Sequence, residues 1–143
     1  MRTLFKYFKI LKLRLLLVLC IIWLPGLFNE SKAITKSVGI AGNYTTIQLA
    51  FADINTSSNG MTGAITLNII SDITETVFPI ELNTNTVTAT YTSVLIQPQG
   101  GAWTISGNRN GYFISFKGAS DVTIDGLNTG GNALTLENTY VFG

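Results

Sequence analysis

Residues 94–136 read VLIQPQGGAWTISGNRNGYFISFKGASDVTIDGLNTGGNALTL, and the spacing of their apolar pairs decides the fold. Val94 and Ile96 recur as Ile114 and Phe116, and at the same step again as Leu134 and Leu136. A second set is interleaved with the first, its step shorter by one. Trp103 and Ile105 recur as Val122 and Ile124, and Val141 continues that set. Gly107 and Gly126 keep the second step as well, each just after its strand. Short alternating strands with turn residues at fixed offsets are the mark of a stacked coil, in which no turn can bury its inward side chains alone. The spacing predicts two strands in each repeat of about 20 residues, a period within the range of solenoids. Ile is then stacked on Ile and Leu on Phe, with Thr104, Thr123 and Thr135 in outward ladders. An antiparallel sandwich also has short strands and frequent turns, but rarely keeps two interleaved sets in phase.

Upstream the period changes. Ile47, Ala50, Phe51 and Ile54 fall at i, i+3, i+4 and i+7, which predicts one amphipathic helix over residues 45–54. Thr45 and Gln48 fit a capping box at its start, and the turn-forming run from Asn55 to Gly60 ends it. Everything after Gly63 reads as β, beginning with the alternation of Ile65, Leu67 and Ile69. The stretch between Ile69 and Val94 is irregular and predicts a strand followed by an extended loop or hairpin. An open coil end exposes strand edges and apolar side chains, and the helix, coming first with one apolar face, is its natural N-terminal cap.

The segment Gly42-Asn-Tyr-Thr-Thr-Ile-Gln-Leu-Ala50 resembles the opening segment of right-handed parallel β-helix proteins of the pectin-lyase-like superfamily, and is most similar to the pectinesterase-like form. Residues 64–70 look like the first strand after such a cap. Gly118-Ala-Ser-Asp-Val-Thr-Ile-Asp-Gly126 looks like a rung of the kind found in large secreted bacterial surface proteins. The resemblance covers nearly all of the chain from Val38 to Gly143. It implies an all-β, right-handed parallel β-helix (a solenoid) with a short N-terminal capping helix. Relatives of that kind run to many more rungs, and Gly143 falls within a stretch that the second set predicts to be a strand. The expectation is therefore a chain truncated after about three rungs.

Residues 1–33 have the three parts of a secretory signal peptide. Arg2, Lys6, Lys9, Lys12 and Arg14 precede an unbroken apolar run from Leu15 to Leu24; Pro25-Gly26 breaks it, and Ser31-Lys32-Ala33 offers small residues for cleavage after Ala33. A spanning helix needs about 20 apolar residues, more than this run supplies. Cys20 follows Leu19 rather than a small residue, which argues against lipidation. It is the only cysteine, so the mature chain has no thiol chemistry. The expected organisation is a signal peptide over 1–33, an N-terminal strand and capping helix over 34–63, and the first rungs over 64–143. The expected location is secreted or on the cell surface, with membrane contact only through the signal segment.

Beyond Ala33 only Lys36, Arg109 and Lys117 are basic, against seven acids, a net charge of −4. This excludes a basic nucleic-acid surface. The chain has no histidine, which removes imidazole-based triads and the commonest metal ligand. No catalytic residue is assigned and no cofactor is expected. Asp121 and Asp125 would share a face if the strand between them is regular, as weak calcium or acid–base candidates, but each also borders a turn, and the turn reading is preferred. Arg109 and Lys117 are candidates for contact with an acidic polysaccharide, although isolated surface charges contribute little. Trp103 and Phe116 belong to the inward sets. Alternation points Phe113 outward, making it the aromatic candidate for ligand contact. The expected function is an exported, non-catalytic β-helical surface module, adhesin-like or glycan-contacting, with extracellular polysaccharide or cell-surface components as partners. Self-association through an open C-terminal rung is also expected to be available. The alternative is the N-terminal piece of a carbohydrate-active enzyme, a pectin lyase or pectinesterase-like protein whose catalytic rungs are missing.

Overall fold

The computed structural model describes residues 33–126 and 130–141, so all of the predicted signal segment except Ala33 lies outside the described residues. The described chain is mostly β-strand in parallel sheets, with little helix. In chain order it runs β1 (Ile34–Val38), α1 (Ile47–Thr56), a 3-10 turn (Ser58–Gly60), β2 (Gly63–Ile69), β3 (Ile73–Glu75), β4 (Ile80–Asn83), β5 (Tyr91–Pro98), β6 (Ala102–Gly107), β7 (Ile114–Lys117), β8 (Val122–Ile124) and β9 (Ala133–Asn138). Among the described residues no helix is long and apolar enough to cross a membrane.

Three sheets form, with strand orders β1-β2-β5-β8, β3-β6-β9 and β4-β7. Every ladder in them is parallel. From β2 onward each strand pairs with the strand three places later in the chain. The register stacks like on like: Ile65 on Val94 on Val122, Leu67 on Ile96 on Ile124, Ile73 on Ile105 on Leu136, and Leu82 on Phe116. These columns carry the core, with Ile65, Leu67, Ile69, Ile80, Leu82, Ile96 and Ile105 all but fully buried.

This register corrects the expected repeat. Val94 pairs with Val122 and Ile80 with Ile114, so partners lie farther apart in the chain than expected, and each strand pairs with the third strand along rather than the second. The residues that recur at even steps in the sequence fall in different sheets: Val94 on β5, Ile114 on β7 and Leu134 on β9. The cause is a beat. Val94, Ile105, Ile114, Val122 and Leu134 follow one another at the roughly 8–12-residue spacing of short strands and turns. Any multiple of that interval looks periodic, and only hydrogen-bond register picks out the third. The threonine ladders change accordingly. Thr104 does face Thr135, but Thr123 sits on β8 opposite Leu95. Val141, expected in a strand, follows β9 as irregular chain and is exposed. The irregular stretch after Ile69 resolves into β3, β4 and a loop that leads to β5.

The helix forms because its apolar face is complete. Ile47, Ala50, Phe51 and Ile54 are the buried residues, as the spacing predicts. Its start lies later than expected. Thr46, not Thr45, is the N-cap, in extended backbone, and its Oγ1 accepts from Leu49 N–H at 3.3 Å. With Thr46 as N-cap the third helical residue is Leu49, which has no side-chain acceptor, so the expected Thr45–Gln48 box does not form. Instead β3 satisfies the first helical amide, Ile47 N–H donating to Glu75 Oε1 at 2.6 Å. At the other end Ser57 adopts the left-handed conformation and closes the helix through its N–H to Asp53 and Ile54 carbonyls. Asn55, in the last turn, takes the place of a neighbouring strand along β4. Its Nδ2 donates to Glu81 O at 2.9 Å and its Oδ1 accepts from Asn83 N–H at 2.8 Å. One edge of β4 is thus satisfied by a helix side chain, and the other by β7.

Candidate functional site

The turn between β6 and β7, residues 108–113, holds two of the sequence candidates and is braced from β9. Asn138 clamps the backbone of Arg109 from both sides: its Oδ1 accepts from Arg109 N–H at 3.1 Å and its Nδ2 donates to Arg109 O at 2.9 Å. Thr139 N–H donates to Gly107 O at 2.8 Å, extending the β6–β9 ladder into the turn. The Arg109 side chain is half-buried, and its Nε is buried without a hydrogen-bond partner.

Phe113 is not the outward ring that alternation predicts. It packs on Phe78 with ring centroids 5.6 Å apart and lies partly buried against the core. Gly107 makes room for both rings, since a Cβ there would collide with Phe78 and Phe113. The alternation argument fails for a definite reason: Tyr112 and Phe113 precede β7, after a turn at Gly111 with φ 110°, so the pleat does not extend to them. Tyr112 is the exposed ring instead, at 79%. Trp103, expected inward, is half-buried against the core, with Nε1 donating to Gln99 O at 2.9 Å. Phe116 continues the Leu82 column but is 44% exposed.

Lys117 does not join Arg109. It pairs with Glu81 on the adjacent strand, Nζ to Oε2 at 2.6 Å, so its charge is locally compensated. Asp121 and Asp125 flank β8, which is only Val122–Ile124, and neither is inside the regular strand their shared face required. Asp121 takes a left-handed turn conformation (φ 56°) and offers its carbonyl to Val94 N–H, while Asp125 N–H donates to Ile96 O. Both are tied into the ladder by backbone groups. Among the described residues no group of three or more His, Cys, Asp or Glu side chains is arranged to hold a metal ion.

Two polar arrangements escaped the sequence reading. Glu75 is a buried acid at 2% exposure whose Oε1 caps α1 and whose Oε2 has no partner. Burial pushes its carboxyl above the ordinary glutamate value, outweighing the amides of Ile47 and Gln48 that favour the anion. Its signal was present in Ile73-Thr-Glu75, where alternation gives the acid the same face as a core isoleucine. The second arrangement joins Tyr44, Asp53 and Asn59. The Tyr44 hydroxyl and Asn59 Nδ2 both donate to Asp53 Oδ2, at 2.7 and 2.6 Å. Burial first, then the bond to Asp53 and its charge, push the Tyr44 hydroxyl up to about 12. A shallow depression of about 360 Å³ beside β1, lined by Ala33, Ile34, Thr35, Lys36, Asn59 and Gly60, includes none of the predicted site residues.

No protein-family model, curated protein or solved structure matches this chain.

Proposed function

We propose that this chain is an exported, non-catalytic module with a right-handed parallel β-helix fold, contacting glycans or other cell-surface components through its outward faces. The observation that carries the reading is the cyclic order of pairing. β2, β3 and β4 are followed in the same sequence by β5, β6 and β7 as their respective partners, and then by β8 and β9. A chain that visits three sheets in fixed order, always parallel, advances one strand spacing per circuit, which is the path of a coil. Parallel crossover connections within one sheet are almost always right-handed, and that supports the hand.

Such a coil presents rows of outward polar side chains in register. Asn68 and Gln97 are opposite each other and hydrogen-bonded, Nε2 to Oδ1 at 2.9 Å, and Thr104 lies beside Thr135. Rows spaced at the strand separation suit an extended polymer, with many weak polar contacts rather than one enclosed pocket. The basic, apolar and small-residue parts of segment 1–33 support export, and the charge of −4 beyond it supports a soluble face.

The test is to express the full chain in a secreting host, sequence the N-terminus of what is exported, and apply that protein to a glycan array. An N-terminus at Ile34 and retention by a subset of glycans are expected. Protein held in the cytoplasm with Met1 intact removes the export reading, and an array with no retained glycan removes the contact reading.

A further inference from the structure

We propose that Asn110, at the tip of the turn between β6 and β7, is a site of spontaneous covalent modification, converted by its own backbone into aspartyl and isoaspartyl forms. Asn59, which has the same neighbour in sequence, is protected by the fold. Nothing in this chemistry depends on glycan contact.

The chain holds two Asn-Gly steps, Asn59-Gly60 and Asn110-Gly111. A glycine has no Cβ, so its amide nitrogen can approach the side-chain carbonyl carbon of the asparagine before it. Attack forms an N–Cγ bond and breaks the Cγ–Nδ2 bond. The amide proton passes to a solvent base, and Nδ2 leaves as ammonia. Water then opens the five-membered imide at either carbonyl. One opening restores the main chain with an aspartyl side chain; the other routes the main chain through Cγ as an isoaspartyl residue. Water is the only co-reactant, and either product adds one negative charge at neutral pH. Steric access does not separate the two steps. Both are exposed, and a Cβ at Gly60 or Gly111 would meet nothing within 4 Å.

Hydrogen bonding does separate them. At Asn59 the leaving group is held, because Nδ2 donates to Asp53 Oδ2 at 2.6 Å in a charge-assisted bond. The backbone is held as well. Asn59 has φ 50° and ψ 29°, which turns the Gly60 nitrogen away from Cγ. Met61 N–H donates to Ser58 O at 2.9 Å and Thr62 N–H to Gly60 O at 2.8 Å, closing the turn. Reaction there requires this turn to open first. Asn110 has none of these restraints. Among the described residues, neither Asn110 nor Gly111 has a hydrogen-bond partner for its side chain or backbone. The feet of the turn are fixed, by the Asn138 clamp on Arg109 and by Ile80 N–H donating to Phe113 O at 3.1 Å. The tip can therefore reach the reactive conformation without breaking a bond, and its modification removes none.

The test is to incubate the purified full chain, folded and in parallel unfolded in urea, at neutral and mildly alkaline pH. Both sites are followed by peptide mapping with mass spectrometry and by isoaspartyl-specific methylation. In the folded protein Asn110 should convert steadily, and faster at the higher pH, because the attacking nitrogen must lose its proton. Asn59 should be slower by about tenfold or more, the factor for opening one charge-assisted hydrogen bond. In urea the two sites should react at similar rates. Asp53→Ala, matched to wild type by far-UV circular dichroism, should speed Asn59 several-fold and leave Asn110 unchanged. Asn110→Gln, whose longer side chain closes a less favourable ring, should abolish the signal at this turn and leave Asn59 as it was. Asn110 left intact in the folded protein, or Asn59 converting there as fast as Asn110, would overturn the proposal. Should Asp53→Ala not fold, the rates of the two sites in folded and urea-treated wild type decide alone.

Discussion

Glu75 is the residue on which pH acts most directly. Its carboxyl is buried against the start of α1 and is held above the ordinary glutamate value by lost solvation. A raised folded-state value means the native protein binds this proton more tightly than the unfolded chain does. The resulting stabilisation is complete below the unfolded glutamate value and is lost as pH rises through the folded one, by about 1 kcal/mol for each pH unit between the two. Urea unfolding across that window should show wild type losing stability toward neutral pH, and Glu75→Gln should flatten the slope. The slope is the readout, because the glutamine amide also enters an unpaired position. Parallel profiles for the two proteins would show that Glu75 ionises without penalty. At Gly107 the constraint is steric. Gly107→Ala drives a methyl into the Phe78 and Phe113 rings and should cost about 1–3 kcal/mol. Gly126→Ala, at the position the sequence spacing made equivalent, meets only Leu134 O at 3.6 Å and should be nearly neutral by the same measurement.

At the scale of elements, α1 is joined to the sheets by two side chains that act in opposite directions. Glu75 reaches from β3 to the first turn of the helix, and Asn55 reaches from its last turn to β4. The apolar stripe that packs the helix was legible, because Ile47, Ala50, Phe51 and Ile54 announce it by spacing alone. The two polar ties were not legible, because each joins positions far apart in the chain and has no local pattern. Asn55 even looks like an ordinary turn residue, yet its amide is committed to β4. Asn55→Ala leaves Glu81 O and Asn83 N–H without their partner and should cost about 2 kcal/mol. Asn55→Asp keeps the acceptor and loses the donor, so it should fall between. Hydrogen exchange at Asn83 N–H checks the assignment: it should accelerate in Asn55→Ala and remain slow in Asn55→Asp.

For the whole molecule, the apolar alternation was readable and the order in which strands pair was not. Alternation is a property of each strand, whereas the return of the chain to the same sheet depends on turn lengths, such as the longer passage from β4 to β5, that no single residue encodes. A turn also moved the exposed aromatic from Phe113 to Tyr112, because the pleat is interrupted at Gly111 before β7 begins. The register now makes a test that the even sequence spacing would fail. Each column runs from a residue packed on both sides to one covered on a single side. Leu82, Ile96 and Ile105 are 0–1% exposed, while their partners Phe116, Ile124 and Leu136 are 44%, 37% and 42% exposed. Truncation should therefore cost unequal amounts within a column. Leu82→Ala, Ile96→Ala and Ile105→Ala open cavities in packed surroundings and should each cost about 2–5 kcal/mol. Ile124→Ala and Leu136→Ala remove side chains already partly in water, and each should cost less than half as much as its buried partner. The larger Phe116 ring should follow the same ordering against Leu82. Equal losses across each column, measured as urea midpoints at constant m-value, would mean that the outer strands are covered in solution and that these columns do not end where the exposure gradient places them.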